Sequence, residues 1–333
     1  MVRIVDVAKK ANVSTATVSR VLSKPDAVKE ETTEKVLEAI KELNYQPNAL
    51  ARQLRRLETK TVLVVVPDIT NPFFSKVLRG IESVAVTNGY QVLLGDAGND
   101  VERENEYLNI LRQKKADGMV LLTARMKSKI VEEMALEYPV VLACEYIEGL
   151  SIPTVSIDNI SGARKATEHL INLGHKRIGF ISGPLGGVLG HDRLKGYCQA
   201  MARYNLTVEP ILVQEGDFSY ESGFNMMIKF LALTHPPTAV FAANDEMAFG
   251  AINAIKSRGL SVPHNISVMG FDDIKFSSIF EPALTTIAQP AFEIGTKAME
   301  LLIRLMNREK IERQQYMLED QLITRDSCSK HIS

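Results

Sequence analysis

A surplus of positive charge, paired cysteines, clustered histidines and long apolar runs are all missing from this chain of 333 residues. The formal net charge is −1, whereas nucleic-acid binders usually carry a surplus of lysine and arginine. The three cysteines, Cys144, Cys198 and Cys328, are odd in number, far apart and without Cys-x-x-Cys spacing. That pattern fits a reducing compartment and predicts no zinc site. The six histidines are scattered, with no pair at ligand spacing, which argues against a structural metal. No apolar run approaches the roughly 18 residues of a membrane helix; clean stretches such as Val62–Val66 are strand-sized. The first ten residues alternate polar and apolar side chains and lack a signal-peptide core. The expectations are a cytoplasmic, nucleoid-associated protein with no membrane contact, no metal and no cofactor.

What is present points elsewhere. Hydrophobic residues make up 45% and charged residues 24%, the balance of a soluble globular chain. The length suits two or three structural units. The net charge also divides unevenly. Residues 1–60 hold 12 Lys/Arg against 8 Asp/Glu, and the remainder holds 27 against 32. A basic head on an acidic body separates two tasks.

The head reads as three short helices. Ile4, Val7, Ala8 and Ala11 share one helical face, Val18, Val21 and Leu22 a second, and Val36, Ala39, Ile40 and Leu43 a third. Ser14 suits the N-cap of the second helix, because its hydroxyl can accept an orphan backbone N–H. Two helices separated by a three-residue turn, with a third behind them, predict a helix-turn-helix. The second helix, 15–22, would present Thr15, Ala16, Thr17, Ser19 and Arg20 to a major groove. Arg20 can make a bidentate pair with guanine, and Ala16 and the Thr15 methyl can meet thymine methyls. Ser14, Thr17 and Ser19 suit phosphates, which set register without reading sequence. A protein-binding three-helix domain would show the same pattern. Asn48–Arg56 follows Pro47 and can form about two helical turns, marginal alone in water. Arg52, Arg55 and Arg56 offer it an anionic partner, and Leu54 among them can act as a minor-groove wedge. A plain linker with a stray leucine is the alternative.

From Thr61 the texture changes. Strand-like runs at 61–66, 90–95, 118–122 and 140–143 alternate with helical stretches near 74–88, 102–115 and 127–136. A second series follows, with strands at 177–182, 211–214, 239–242 and 266–270 and helices near 161–173, 191–204, 220–232 and 246–258. Continuous Val/Ile/Leu strands with intervening helices predict parallel sheets covered on both faces. Two such sets predict an α/β body of two doubly wound lobes, like a periplasmic binding protein, with ligand at the strand C-terminal ends or between lobes.

Enzymatic signatures are missing from the body. Gly183–Gly190 lacks Gly-x-Gly-x-x-Gly spacing and has Pro184 at its tight turn. No phosphate-binding Gly-x-x-x-x-Gly-Lys-Ser/Thr loop and no Gly-x-Ser-x-Gly elbow occur. Asp272-Asp273 are adjacent, and adjacent carboxylates rarely converge on one atom. The same residues suit binding. Arg193 can donate and Asp272 accept around vicinal hydroxyls. Phe73 and Phe218 can stack on a ring, or simply pack in the core, as most phenylalanines do. Asp96, Arg125, Glu145 and Asp158 stand near strand ends, as pocket groups or as solvated charges.

Several motifs in order carry a resemblance: Val13–Leu22, Leu43–Asn48, Pro67–Phe74, Gly174–Gly179, Asn244–Gly250, Gly270–Asp273 and Leu284–Ile287. The chain resembles the LacI/GalR family of bacterial repressors, nearly end to end. The resemblance implies an N-terminal helix-turn-helix at 1–46, a hinge helix at 47–59 and an effector-binding and dimerisation body at 60–333. It implies an N-lobe of about 60–159 plus 290–315 and a C-lobe of about 160–289 plus 316–328. Thr15, Ala16 and Arg20 take base-reading positions, with Asn48 and Arg55 also at the DNA, and Leu54 takes that of the inserted hinge leucine. Asn71, Phe73 and Phe74 take the N-lobe wall of an effector pocket, joined by Arg125. Arg193, Phe218, Asn244 and Asp272 take the C-lobe wall. Gly187 stands where a purine-binding member has arginine, which speaks against a guanine-like corepressor. The implied partners are double-stranded palindromic operator DNA, a small polar effector (sugar or nucleoside) and a second copy of the chain. Some members answer to a partner protein, so a protein coregulator is a further expectation. The implied function is transcriptional repression, not catalysis; a solute-binding module is the alternative.

Overall fold

A computed structural model describes residues 2–23, 27–45, 58–123 and 125–331 of the chain. Two compact units divide between Thr59 and Lys60.

The first unit contains α1 (Ile4–Lys10), α2 (Thr15–Ser23) and α3 (Glu30–Glu42). Val7, Ala8, Ala11, Val18, Val21, Val36 and Ala39 make its core, the three apolar faces that the helical spacing predicts. The α1–α2 turn is short for a definable reason. Asn12 takes a left-handed backbone (φ 53°), its N–H bonds to the Lys9 carbonyl (3.2 Å), and the Val13 N–H bonds to the Ala8 carbonyl (2.9 Å). This is a Schellman C-cap, and asparagine tolerates it better than any β-branched residue would. Ser14 then starts α2: its Oγ accepts from Thr17 N at 3.1 Å.

The second unit carries two six-stranded sheets. The first contains β1 (Thr61–Val66), β2 (Gln91–Asp96), β3 (Gly118–Leu121), β4 (Val140–Ala143), β5 (Thr154–Ile157) and β11 (Gln315–Leu318) in the order β11-β5-β4-β3-β1-β2. Its pairs are all parallel. Helices α4 (Pro72–Thr87), α5 (Val101–Arg112), α6 (Ser128–Glu137) and α11 (Ala291–Met306) belong to this lobe. The second sheet contains β6 (Ile178–Ser182), β7 (Val213–Glu215), β8 (Ala239–Ala242), β9 (Ser267–Asp272), β10 (Thr285–Ala288) and β12 (Gln321–Ile323) in the order β12-β10-β9-β8-β6-β7. Helix α7 (Asn159–Asn172) leads from β5 into this sheet, and α8 (Val188–Arg203), α9 (Tyr220–Leu231) and α10 (Asp245–Ser257) connect its strands. Apart from the partly buried Thr61, the inner strands β1, β6, β8 and β9 are buried throughout, as strands covered on both faces must be.

The structure refines the expected fold at three points. The second sheet is not wholly parallel, because β12 pairs antiparallel with β10. The last crossing between lobes follows Leu318, not residue 315, because Gln315–Leu318 pairs with β5. The strand expected at 211–214 begins as a 3-10 turn at Pro210–Leu212 and becomes extended only at Val213. Proline at 210 removes a donor and favours that turn.

Helix pairs pack closely where glycine permits. A Cβ at Gly223 of α9 would overlap the Met247 backbone, and one at Gly250 of α10 would overlap the Tyr220 carbonyl. Close packing of α9 on α10 fixes the loops at their N-terminal ends, where the cleft lies.

Candidate functional site

On the head, Thr15, Ala16 and Arg20 are exposed, while Thr17 and Ser19 are half-buried. Val18 and Val21, on the opposite face, are buried. One face of α2 is therefore core and the other is solvent-facing polar surface. Ser14 is exposed, but its hydroxyl serves the helix: besides the cap bond it pairs with Thr17 Oγ1 at 2.9 Å. The phosphate role expected of Ser14 and Thr17 thus falls on a pair already engaged with each other. Asn48, Arg52, Leu54, Arg55 and Arg56 lie outside the described residues.

The body holds a cleft of about 410 Å³ between its two lobes. Loops after the C-terminal ends of β1, β3, β4, β6, β7, β8 and β9 supply its walls, the usual ligand position in parallel α/β sheets. Asn71, Phe73, Phe74, Arg125, Arg193, Phe218, Asn244 and Asp272 all line it. Glu145 lines it too, whereas Asp96 and Asp158 do not. Asp96 accepts from Ile69 N (3.1 Å) and Gly98 N (3.3 Å), which braces the loop before α4. Asp158 caps α7 through Ser161 N at 2.9 Å.

Each lining side chain has a local cause for its position. Asn71 caps α4, accepting from Phe73 N at 2.9 Å. Phe73 is buried and meets Phe74 edge to face, with centroids 5.3 Å apart, so Phe74 is the more accessible ring of the pair. Asn244 uses both ends of its amide: Oδ1 accepts from Met247 N (2.9 Å), and Nδ2 donates to the Phe218 carbonyl (2.9 Å). Asn244 therefore positions Phe218. The Phe218 ring lies where a Cβ on Gly183 would be, so Gly183 makes room for an aromatic wall.

Arg193 and Asp272 form the polar centre of the C-lobe wall. Arg193 is 3% exposed. It donates Nε to Asn159 Oδ1 at 3.0 Å and Nη1 to the Ala243 carbonyl, and its guanidinium lies 3.9 Å from the Phe271 centroid. Nη2 stands 3.7 Å from Asp272 Oδ1, which also accepts from Gln289 Nε2 at 2.7 Å. Burial lifts the Asp272 pKa to about 6, against the opposing pull of Arg193 and Gln289. Beside it, buried Asp245 is pushed up to about 7, by burial first and then by the Asp272 charge. Asp245 accepts from Ile274 N (2.9 Å), Ser277 Oγ (2.6 Å) and Thr286 Oγ1 (2.6 Å). It pins the loop that displays Asp272. Cys144, Phe218 and Asp272, all in the wall, have positive φ of 69°, 71° and 111°. Non-glycine residues held this way concentrate at functional sites.

Spacing in the chain did not single out Asp245, Gln289 or Asn159. Asp245 lies inside the run 244–250 and Gln289 just beyond the run 284–287, whose neighbours were legible; Asn159 left no signal. Glu221, Glu246 and Asp217 also line the cleft, and in the sequence they look like ordinary surface charges.

Comparisons with known proteins decide the family. Residues 3–48 match the model described as bacterial regulatory proteins, lacI family, and residues 167–328 match the periplasmic binding protein-like domain. The HTH-type transcriptional repressor CytR of Escherichia coli (strain K12) is 44% identical over 97% of this chain and 95% of its own length. The chain belongs to the LacI family of bacterial regulators. Among solved structures, the lac repressor dimer bound to operator and the anti-inducer ONPF superposes with a TM-score of 0.88 at 31% identity, covering 98% of this chain and 99% of the other. The CelR–cellobiose complex matches with a TM-score of 0.75 at 32% identity, over 98% and 100%. This LacI-family chain is a DNA-binding transcriptional regulator with a small-molecule effector domain, not an enzyme. Among the described residues, no helix is long and apolar enough to cross a membrane.

Proposed function

We propose that the chain is a homodimeric repressor that binds a palindromic operator and releases or tightens it when a sugar or nucleoside occupies the cleft. One observation carries this reading. A helix-turn-helix with an exposed Thr15–Ala16–Arg20 face shares its chain with a two-lobed body whose cleft is lined by aromatic and charged groups. Two heads on a two-fold axis would meet two half-sites. Arg20 is the base-reading cation, Thr15 and Ala16 meet thymine methyls, and Ser14, Thr17 and Ser19 face phosphate. Asn48, Leu54 and Arg55 would complete the contact at the operator centre. In the cleft, Arg193 and Asp272 hold hydroxyls, Phe74 and Phe218 flank a ring, and Asn71 and Arg125 close the N-lobe side. Phe73 and Asn244 act mainly by placing their neighbours.

The energy that ligand can transmit is its differential affinity for the two lobe arrangements. The similar lac repressor dimer with operator and anti-inducer and the similar regulator CelR with cellobiose support both halves of the reading. The test is operator selection from random duplexes, followed by footprinting on the selected site with a sugar and nucleoside panel. The expected result is a two-fold symmetric footprint that changes with at least one compound. An asymmetric half-length footprint would refute the dimer, and an intact footprint with a compound demonstrably bound would refute coupling.

A further inference from the structure

The charges around the cleft say which ligands it accepts. Asp68, Glu145, Asp217, Glu221, Glu246 and Asp272 line it, against Arg125 and Arg193. No lysine or histidine is among the described lining residues. Both guanidiniums already have polar partners within the chain. Arg193 faces Asp272 and is otherwise bound to Asn159 and Ala243. Arg125 donates to the Asn99 carbonyl at 3.2 Å and lies near Glu104, whose pKa burial raises against the opposing pull of Thr123 and Arg125. Glu246 has the opposite surroundings. Burial raises its pKa, and the charges of Asp68, Glu221 and Asp272 raise it further. Asp217 remains a firm anion: burial is outweighed by hydrogen bonds from Ser219 and Ser222, and its pKa falls below the usual value.

Helix N-termini could in principle compensate an anion. Here α4, α9 and α10 start at the cleft, and each closes its first turn with its own side chain. Asn71, Ser219 and Asn244 accept from Phe73 N, Ser222 N and Met247 N at 2.9, 3.1 and 2.9 Å. The start of α8 has no side-chain cap, but it brings Pro184 and Leu189, not Gly187, to the wall.

We infer that the cleft selects an unphosphorylated, hydrogen-bond-donating ligand, a neutral sugar or nucleoside, and rejects the phosphate ester of that same molecule. The inference rests on the cleft being the effector site and deepens that reading. Hydroxyl and amino groups donate to Asp217, Glu246 and Asp272. A phosphate dianion would add like charge in a partly desolvated space, where interactions between charges are several times stronger than in water. No uncommitted cation offsets it.

The experiment is calorimetric titration of the full chain with matched pairs. These are the four ribonucleosides and their 5′-monophosphates, D-ribose and D-ribose 5-phosphate, and D-glucose and D-glucose 6-phosphate, with inorganic phosphate as control. At least one neutral member should bind, and its phosphate should bind about tenfold more weakly or worse, with the gap narrowing at high salt. Glu246→Gln should narrow the same gap several-fold without new affinity for inorganic phosphate. A phosphate ester that binds as tightly as its neutral partner overturns the charge selection while keeping the cleft as effector site. Failure of every pair overturns the sugar-or-nucleoside reading and the inference with it.

Discussion

Asp272→Asn separates what the cleft needs from what the fold needs. Two opposing effects determine its consequence. The attraction between Asp272 and Arg193, 3.7 Å apart, is about 4 kcal/mol gross at an effective dielectric near 20. Burial opposes it and prevails, since the Asp272 pKa stands at about 6 with that attraction already acting. Relative to an ordinary aspartate this corresponds to about 3 kcal/mol against the charged form. Arg193 agrees in sign: burial lowers its pKa despite the carboxylate beside it. The charged pair therefore costs the fold stability at neutral pH, as buried pairs often do. Asparagine keeps the acceptor for Gln289, tolerates the positive φ and removes the charge. At pH 7.5 the variant should be as stable as the parent, or more stable by up to about 3 kcal/mol.

The pH dependence follows from the direction of the shift. A carboxyl with a raised folded pKa contributes stability that is complete below about pH 4 and is lost as pH rises through about 6. The variant's advantage should thus vanish in acid. Denaturant unfolding at pH 4.5, 6 and 7.5 measures it, and ligand titration should show effector affinity reduced about tenfold or more as a charged acceptor is lost. A loss of more than about 2 kcal/mol at pH 7.5 would mean that the carboxylate serves the fold through Arg193, and the reasoning would fail.

Other perturbations probe the remaining parts. Arg20→Ala should lower preference for the selected operator over random DNA by about 1–3 kcal/mol; equal weakening on both DNAs would remove its base-reading role. Ser14→Ala removes the α2 cap and should destabilise the head by about 1 kcal/mol, measurable by hydrogen exchange at α2; unchanged protection there would count against the cap. Asp245→Asn places an amide where three donors converge and should cost the body about 1–3 kcal/mol, seen as a lower Tm. Gly183→Ala forces the Phe218 ring aside and should weaken effector binding several-fold with operator affinity kept; unaltered ligand affinity would show that the ring is not part of the wall.

Which features were legible in the sequence follows the range of the interactions behind them. The head was readable because each of its helices is specified within a few residues: Asn12 ends α1 and Ser14 starts α2. The alternation of strand and helix in each lobe was readable because buried parallel strands show as unbroken Val/Ile/Leu runs. β11 and β12 were not. They are short, partly exposed and contain Gln315 and Gln321, and their place depends on sheets assembled from segments much earlier in the chain. β5 follows β4 without a helix between them, so the expected rhythm skipped it. The cleft divides in the same way. Arg193 and Asp272 could be picked out because Asp272 ends a strand of unmistakable character and Arg193 sits in the helix that follows another. Asp217, Glu221 and Glu246 could not, since a carboxylate opening a helix is ordinary N-terminal chemistry. Only the facing of the two lobes gives them another meaning. Asp68, on the loop after β1, lies close enough to Glu246, opening α10, for its charge to raise the Glu246 pKa. An acidic body that looked merely solvated thus holds part of its charge inside the cleft between its lobes.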